Sequence, residues 1–273
     1  MVKSVFFLGI VRSGTSFLGR LLTSNSENVY ITHESDIIWI LYNLYELGTP
    51  LDEIVKYRYD SQQAMGDTIH KCKLILQQWK NHSSANLYKL TGECHSPASL
   101  YEECQRNIMS RGTQWQPIKR SNTIYLGDKK PTQQSDPAIF KWTEKNFIDP
   151  KPKYIHLIRH PNDFLESTLH FGRMKNIYGD TNNEIMEFWV KKQQDTLKLI
   201  KDIPERVITV KYEDVCESPI EELHRIYNFL DLPVENPSSS GVKPASIYKK
   251  AEYDYPKGYA KLMKIFDYEE KKK

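Results

Sequence analysis

The clearest evidence for the fold of this chain is the segment Ser4-Val-Phe-Phe-Leu-Gly-Ile-Val-Arg-Ser-Gly-Thr-Ser16. The apolar run from Ser4 to Leu8 predicts a buried strand, and apolar side chains at helical spacing predict a helix from Gly14 to about Thr23. The glycine-rich residues between them form the loop that joins the strand to the helix. Backbone N–H groups and the N-terminus of the helix can hold a phosphate at such a junction.

The loop Gly9-Ile-Val-Arg-Ser-Gly-Thr-Ser16 has the glycine spacing of a P-loop, G-x-x-x-x-G-K-[ST], but Thr15 stands at the lysine position. That lysine contacts the β- and γ-phosphates of a nucleoside triphosphate. Its replacement argues against triphosphate chemistry and leaves the binding of a single phosphate intact. The side chains of Arg12, Thr15 and Ser16 can add donors to that phosphate. The alternative is that the glycines only make a turn between strand and helix.

Strands and helices alternate along the rest of the chain, which predicts an α/β fold with a parallel sheet covered by helices on both faces. Ligands of such sheets bind at the carboxyl ends of the strands, where the polar motifs of this chain fall. The further strands are predicted at 28–31, 123–126, 154–158 and 207–210, and the further helices at 36–47, 60–80, 99–111, 136–147, 161–173, 183–201, 219–230 and 258–266.

The chain of 273 residues predicts a single domain over 1–273, with a helical insertion at about 50–122 that is a candidate for the acceptor site. The net charge of +3 comes from scattered lysines rather than a basic stripe, so we expect no nucleic-acid partner. No apolar run reaches the length of about 18 residues that a transmembrane helix needs, so we expect no membrane span.

The cysteines, Cys72, Cys94, Cys104 and Cys216, include no C-x-x-C pair, so we expect no zinc site. Four thiols in a chain of this length are typical of a reducing compartment rather than of a disulfide scaffold, which predicts a cytoplasmic protein.

A second motif, Tyr154-Ile-His-Leu-Ile-Arg-His-Pro-Asn-Asp-Phe-Leu-Glu-Ser167, predicts a strand, a turn and a helix. Arg159 stands at the end of the strand, and Ser167 follows about two helical turns later. A guanidinium fork and a hydroxyl can together clamp a second phosphate. Taken alone, Arg159 could equally be a surface salt-bridge partner, and Ser167 a solvated helix residue. His156 and His160 are expected to be structural neighbours rather than catalysts.

The two motifs together resemble those of the sulfotransferases that use 3′-phosphoadenosine 5′-phosphosulfate (PAPS), whose 5′-phosphosulfate loop typically reads Arg-Ser-Gly-Thr-Ser/Thr. The bacterial and Golgi-type branches, including the tyrosylprotein sulfotransferases, are the most similar in pattern. The resemblance runs from residue 4 to about 233 and implies a P-loop-NTPase-like fold. It implies that the 5′-phosphosulfate is bound by Arg12, Ser13, Gly14, Thr15 and Ser16, and the 3′-phosphate by Arg159 and Ser167.

A third motif, Val207-Ile-Thr-Val-Lys-Tyr-Glu-Asp-Val215, resembles the strand and Tyr-Glu-Asp segment of the same family. The family's next helix often closes in Phe-Leu-Gly-Leu-Pro, and this chain has Phe229-Leu-Asp-Leu-Pro233, with Asp231 in the place of the glycine. By this resemblance Tyr212 lies near the adenine. The alternative is a buried tyrosine at the end of a strand.

The resemblance nominates Glu34, in Thr32-His-Glu-Ser35, as the general base, because a catalytic glutamate follows the second strand in the related branches. A carboxylate in a closed, dry pocket has a raised pKa and can take the proton of an acceptor hydroxyl. His33 is the alternative base, because the spacing from the loop arginine is one residue longer than in the tyrosylprotein branch. Glu34 could instead cap the following helix, whose first turn favours acidic groups.

The segment Gly127-Asp-Lys-Lys-Pro-Thr132 resembles the family's Gly-Asp-Lys-Thr-Pro segment. A lysine there would neutralise the charge that builds on the bridging oxygen of the donor. Lys129 matches the family lysine by position, and Lys130, in the place of the usual threonine, is the alternative. Arg12 is expected to share this role, and no metal is required.

These features predict a sulfotransferase that moves a sulfuryl group from PAPS to an acceptor hydroxyl by in-line attack and releases 3′,5′-adenosine bisphosphate (PAP). The acceptor is a hydroxyl-bearing glycan, peptide, lipid or small molecule. One alternative is a P-loop small-molecule kinase that uses Mg·ATP, against which Thr15 argues. The other is a nucleotide-binding protein without catalytic activity.

Overall fold

The computed structural model describes residues 2–33, 35–50, 53–54, 96–111, 123–170, 178–233, 237–239, 242 and 252–268. Most of the predicted insertion at 50–122 lies outside these residues, as does the helix predicted at 60–80. The helix predicted at 99–111 is confirmed. The candidate base Glu34 also lies outside the described residues.

The strands form a five-stranded sheet in the order β2-β3-β1-β4-β5, and the registers given by the paired strands are parallel. Helices lie between successive strands along the chain, so the predicted α/β class with a parallel sheet is confirmed. The strands are β1 (Lys3–Gly9), β2 (Val29–His33), β3 (Tyr125–Lys129), β4 (Lys153–Ile158) and β5 (Val207–Lys211).

The helices agree with the predicted segments to within a few residues, apart from two short helices that the sequence patterns do not predict. These are α4 and α8, of four and six residues. The α-helices are α1 (Thr15–Ser24), α2 (Ile37–Tyr45), α3 (Pro97–Arg111), α4 (Pro131–Gln134), α5 (Pro137–Asn146), α6 (Pro161–His170), α7 (Asn182–Ile200), α8 (Tyr212–Glu217), α9 (Pro219–Phe229) and α10 (Tyr259–Ile265).

Strand β3 is the clearest displacement of a predicted element. The sequence predicts a strand at 123–126, but β3 includes Gly127, Asp128 and Lys129 at its end. A Cβ at Gly127 would come within 2.5 Å of the carbonyl oxygen of Val5, so glycine permits the close approach of β1. Asp128 and Lys129 are only 1% and 2% exposed. Because both are polar, the apolar pattern that predicts a buried strand does not extend to them.

The chain divides into two compact units. Unit 1 comprises Met1–Phe7 and Ser16–Lys153. Its interior contains a group of aromatic rings packed edge to face, with the Phe6 centroid 5.4 Å from that of Tyr101 and 5.7 Å from that of Phe147. Such edge-to-face pairs add stability beyond the apolar area that they bury. The helix α5 begins at an N-cap, Asp136, whose carboxylate accepts from the N–H groups of Ala138 and Ile139.

Unit 2 comprises Leu8–Thr15 and Tyr154–Lys273. Trp189, on α7, is fully buried in its core, which also includes Ile10 from the loop after β1 and Phe266 after α10. Helix α7 starts with a capping box in which the side chains and amides of Thr181 and Glu184 satisfy each other. Because Ile10 and Ile158 belong to this same core, the loop after β1 packs together with β4.

Among the helices of the described part of the chain, none combines the length and apolar character that crossing a membrane requires.

Candidate active site

The loop between β1 and α1 has a backbone that depends on glycine at two positions. Gly9 and Gly14 have φ of 120° and 89°, in the left-handed region that side chains other than glycine rarely adopt. A Cβ at Gly9 would come within 2.7 Å of the Leu157 carbonyl oxygen, and a Cβ at Gly14 would overlap the ring of Tyr212. The two glycines therefore let the loop approach β4 and the start of α8 closely.

Arg12 connects this loop to the second predicted phosphate motif. Its Nε donates to the Oγ of Ser167, on α6, over 3.2 Å. Its carbonyl oxygen accepts from Nη1 of Arg159, at the end of β4, over 3.1 Å. Arg12 itself has a φ of 78°, which a residue other than glycine adopts only at a cost in backbone energy. The structure thus brings Arg12 together with two residues that follow it by 147 and 155 positions in the sequence.

Arg159 is held in place by an aromatic ring. Its guanidinium carbon lies 4.5 Å from the centroid of the Tyr212 ring, a cation–π contact, and the residue is only 6% exposed. Tyr212 is half-buried and starts α8, directly after the last residue of β5. The same ring lies against Gly14, so loop, arginine and tyrosine form one packed group.

The hydroxyl groups of the loop suit an anion. Ser13 is fully buried, and no hydrogen-bond partner for its Oγ exists within the described residues. Thr15 is 3% exposed and Ser16 is half-buried. A buried hydroxyl without a partner is unfavourable in the free protein, and a bound phosphate oxygen would remove that cost. Together with Arg12 and Arg159, this donor set fits a phosphate-type ligand.

The two histidines near Arg159 both contact neighbouring groups of unit 2. His156 is buried, its Nε2 lies 2.9 Å from Oε1 of Gln193, and burial lowers its pKa to about 4. Nδ1 of His160 accepts from the N–H of Asn162 over 3.3 Å at the start of α6. That these two histidines are structural neighbours rather than catalysts stays a prediction.

Glu213 is a residue of this region that sequence reasoning missed. Its Oε1 accepts from the N–H of His160 and its Oε2 from the hydroxyl of Tyr268, each over 2.9 Å. Burial raises the pKa of Glu213. The only sequence signal for Glu213 is its place inside the Tyr-Glu-Asp segment, because its partner Tyr268 is 55 residues away.

In unit 1 the two candidate lysines have different surroundings. Lys129 ends β3, is 2% exposed and is paired in register with His33 of β2. Lys130 follows the strand, and its Nζ lies 2.5 Å from Oδ1 of Asp36. The Lys130 side chain therefore forms an ion pair with Asp36, the residue that precedes α2.

The residues that flank Glu34 in the sequence are held by β3 and α4. The N–H of Ser35 donates to Oδ1 of Asp128 over 3.1 Å. Asp36, not Glu34, is the N-cap residue of α2, with a left-handed φ of 59° and no capping hydrogen bond from its side chain. Its carboxylate accepts instead from Nε2 of Gln133 over 2.9 Å and pairs with Lys130.

Asp128 is a second residue that the sequence patterns did not single out. It is 1% exposed, and burial raises its pKa to about 6, because a carboxylate loses its hydration there.

Within the described residues, no group of three or more His, Cys, Asp or Glu side chains could hold a metal ion. Cys104 and Cys216 are buried free thiols.

Two solved structures share this fold over nearly their whole length. A sulfotransferase domain from the curacin biosynthetic pathway is 20% identical, with a TM-score of 0.63 over 98% of this chain and 99% of that chain. A sulfotransferase domain from the Synechococcus PCC 7002 olefin synthase is 22% identical, with a TM-score of 0.63 over 98% and 95%. No protein with curated annotation matches the chain significantly.

The family relationship rests on the sequence itself. The model of the sulfotransferase family matches residues 4–236, a range that includes the loop after β1, the end of β4 and the start of α8. Since this match covers most of the 273 residues, the chain belongs to the sulfotransferase family.

Proposed function

We propose that the protein transfers a sulfuryl group from PAPS to the hydroxyl of an acceptor and releases PAP. The observation that carries the proposal is the convergence of Arg12, Arg159 and Ser167, joined by two hydrogen bonds within unit 2. A nucleotide with phosphates at both its 3′ and 5′ positions needs two cationic clamps on one nucleoside. A triphosphate would instead need the P-loop lysine, whose place Thr15 occupies.

The donor would be held through its two phosphate ends. The 5′-phosphosulfate would be bound by the loop amides, the Ser13 hydroxyl and the Arg12 guanidinium. The amides lie at the N-terminus of α1, and the buried Ser13 hydroxyl has no other partner among the described residues. Arg159 and Ser167 would bind the 3′-phosphate, and Tyr212 would lie near the adenine. The cation–π contact of Arg159 with Tyr212 supports this division, because it orients the guanidinium before the ligand arrives.

The transfer step in this proposal is an in-line displacement at sulfur. The acceptor oxygen gives its proton to the Glu34 carboxylate and forms a new bond to sulfur, while the bond from sulfur to the bridging phosphate oxygen breaks. The bridging oxygen leaves with the electron pair on PAP, where Lys129 and Arg12 would stabilise its charge. The assignment of Glu34 follows the family resemblance, and His33 is the alternative base.

The ion pair of Lys130 supports Lys129 as the lysine of this step. An ammonium group within 2.5 Å of the Asp36 carboxylate is electrostatically neutralised before any ligand binds. Lys129 ends strand β3, and the carboxyl ends of strands are where ligands of such sheets bind. The acceptor itself is a hydroxyl-bearing glycan, peptide, lipid or small molecule in this proposal.

Calorimetric binding of PAP and of Mg·ATP to the whole chain tests the proposal. We expect PAP to bind more tightly, and Arg159→Ala to weaken PAP binding about 10- to 100-fold, as the loss of a charged phosphate contact would. Arg106→Ala is the matched control, because Arg106 pairs with Glu102 on its own helix in unit 1. Tighter binding of Mg·ATP, or unchanged PAP affinity in Arg159→Ala, would overturn the proposal.

A further inference from the structure

One carboxylate joins the two chain segments that carry the Arg159–Tyr212 pair. His160 follows Arg159 directly, and its N–H donates to Oε1 of Glu213 over 2.9 Å. Glu213 in turn follows Tyr212 directly at the start of α8. The carboxylate therefore ties the end of β4 to the start of α8, one residue away from the guanidinium on one side and the ring on the other.

The second oxygen of this carboxylate is occupied by Tyr268. The hydroxyl of Tyr268 donates to Oε2 of Glu213 over 2.9 Å, and its ring packs edge to face on His160 with centroids 5.1 Å apart. Tyr268 thus contacts both Glu213 and His160, the two residues that this hydrogen bond joins. A carboxylate that receives two hydrogen bonds has one preferred orientation, so its partners are fixed relative to each other.

Tyr268 is itself fixed by Lys211, the last residue of β5. The Lys211 Nζ lies 5.2 Å from the centroid of the Tyr268 ring and donates to the carbonyl oxygen of Asp267 over 2.8 Å. These contacts anchor the segment after α10 to the residue that precedes Tyr212. The segment lies beyond residue 236, where the match to the family model ends.

We infer that Tyr268, acting through Glu213, is a positioning residue for Arg159 and thereby for the 3′-phosphate of the nucleotide. This inference rests on the proposed function. Neither Tyr268 nor Glu213 needs to touch the nucleotide, because their effect passes through His160 and Tyr212 to the guanidinium. Loss of the Tyr268 hydroxyl therefore weakens recognition of the 3′-phosphate and leaves the 5′-phosphate unaffected.

The test compares PAP with 5′-AMP, which lacks the 3′-phosphate, by calorimetry on the whole chain. We expect Tyr268→Phe and Glu213→Ala to weaken PAP binding by about fivefold or more while 5′-AMP affinity stays within twofold, a size typical of coupled neighbours. Glu213→Gln should restore much of the loss, because an amide can accept from His160 and donate to the Tyr268 oxygen. Tyr255→Phe and Glu217→Gln, on exposed side chains of the same unit, are the matched controls.

A double-mutant cycle with Arg159→Ala separates positioning from general stability. If Tyr268 acts through Arg159, Tyr268→Phe causes no further loss of PAP affinity once Arg159 is replaced. Equal losses for PAP and 5′-AMP, or unchanged PAP affinity in both Tyr268→Phe and Glu213→Ala, would overturn the inference alone. A wild-type chain that does not prefer PAP to 5′-AMP would overturn the proposed function and this inference with it.

Discussion

The ammonium group of Lys130 lies 2.5 Å from the carboxylate of Asp36 in a pair whose side chains are only 17% and 10% exposed. Asp36 has a left-handed φ of 59° and also accepts from Gln133. Lys130 at the start of α4 and Gln133 within it therefore both hold the residue before α2. Because the pair is partly withdrawn from water, its charges are screened less than those of a surface pair.

Replacing Lys130 with the threonine that is usual in the family would leave the Asp36 carboxylate without its cation. We expect Lys130→Thr to lower the free energy of unfolding by about 2 kcal/mol, between the values for exposed and buried pairs. Denaturant titration measures this change. Lys145→Ala, which breaks the exposed pair with Glu46, should cost less than about 0.5 kcal/mol. Equal effects of the two substitutions would show that the Lys130 pair is an ordinary surface contact.

Gly14 and Gly48 provide a matched comparison, because both have positive φ and only Gly14 is crowded. Gly48→Ala meets nothing within 4 Å and should cost about 1 kcal/mol of backbone strain. Gly14→Ala must also displace the Tyr212 ring, so we expect a larger loss of stability and at least about a tenfold weaker affinity for PAP. Thermal unfolding and calorimetry report the two effects. Unchanged PAP affinity in Gly14→Ala would show that nucleotide binding does not depend on the close contact between Gly14 and the Tyr212 ring.

Asp128 makes stability depend on pH. Its folded-state pKa is raised to about 6 from the ordinary 3.8, so the folded protein keeps a proton that the unfolded chain releases. Its stabilising contribution is therefore present below the ordinary value and is lost as pH rises through about 6. Asp128→Asn, which mimics the protonated acid, should gain stability relative to wild type at about pH 8, by at most about 3 kcal/mol.

That gain should shrink as pH falls toward the ordinary pKa of an aspartate, because both proteins then have a neutral side chain. Melting temperatures of the two proteins across this pH range provide the comparison. A difference between them that does not change with pH would mean that Asp128 does not titrate in this window.

The choice between Glu34 and His33 as the base can be made from turnover. We expect Glu34→Gln to lower kcat by about 10²- to 10⁴-fold, the usual contribution of a general base, without changing PAP affinity. His33→Gln should lower kcat by less than about tenfold. PAP release from PAPS with a panel of hydroxyl acceptors measures both. A reversed order of effects would assign the base to His33.

The sequence predicted those parts of the site that depend on local pattern. The glycines of the loop, Arg159 at the end of a strand and Ser167 on the next helix are all visible within short segments, and the fold places Arg12 against both residues. These predictions concern position, and the roles of the residues in binding and catalysis stay predictions.

Contacts between distant segments were not predictable in the same way. Glu213 acquires its partners from the end of β4, where His160 lies, and from the segment after α10, where Tyr268 lies, and no local pattern encodes that meeting. Asp128 and Lys129 look like turn residues by polarity, but tertiary burial makes them the end of a strand. The structure was needed wherever a polar residue is buried by a remote partner.

The residues Leu8–Thr15 belong to unit 2, whose remaining residues begin at Tyr154. A ribosome therefore synthesises the loop after β1 well before its packing partners in unit 2, which begin at Tyr154. The loop can complete its packing only after the end of β4 and the start of α8 have left the exit tunnel. Nascent chains truncated before these elements would thus lack the proposed nucleotide site, so ligand binding could protect the chain from degradation only after the start of α8 has been synthesised.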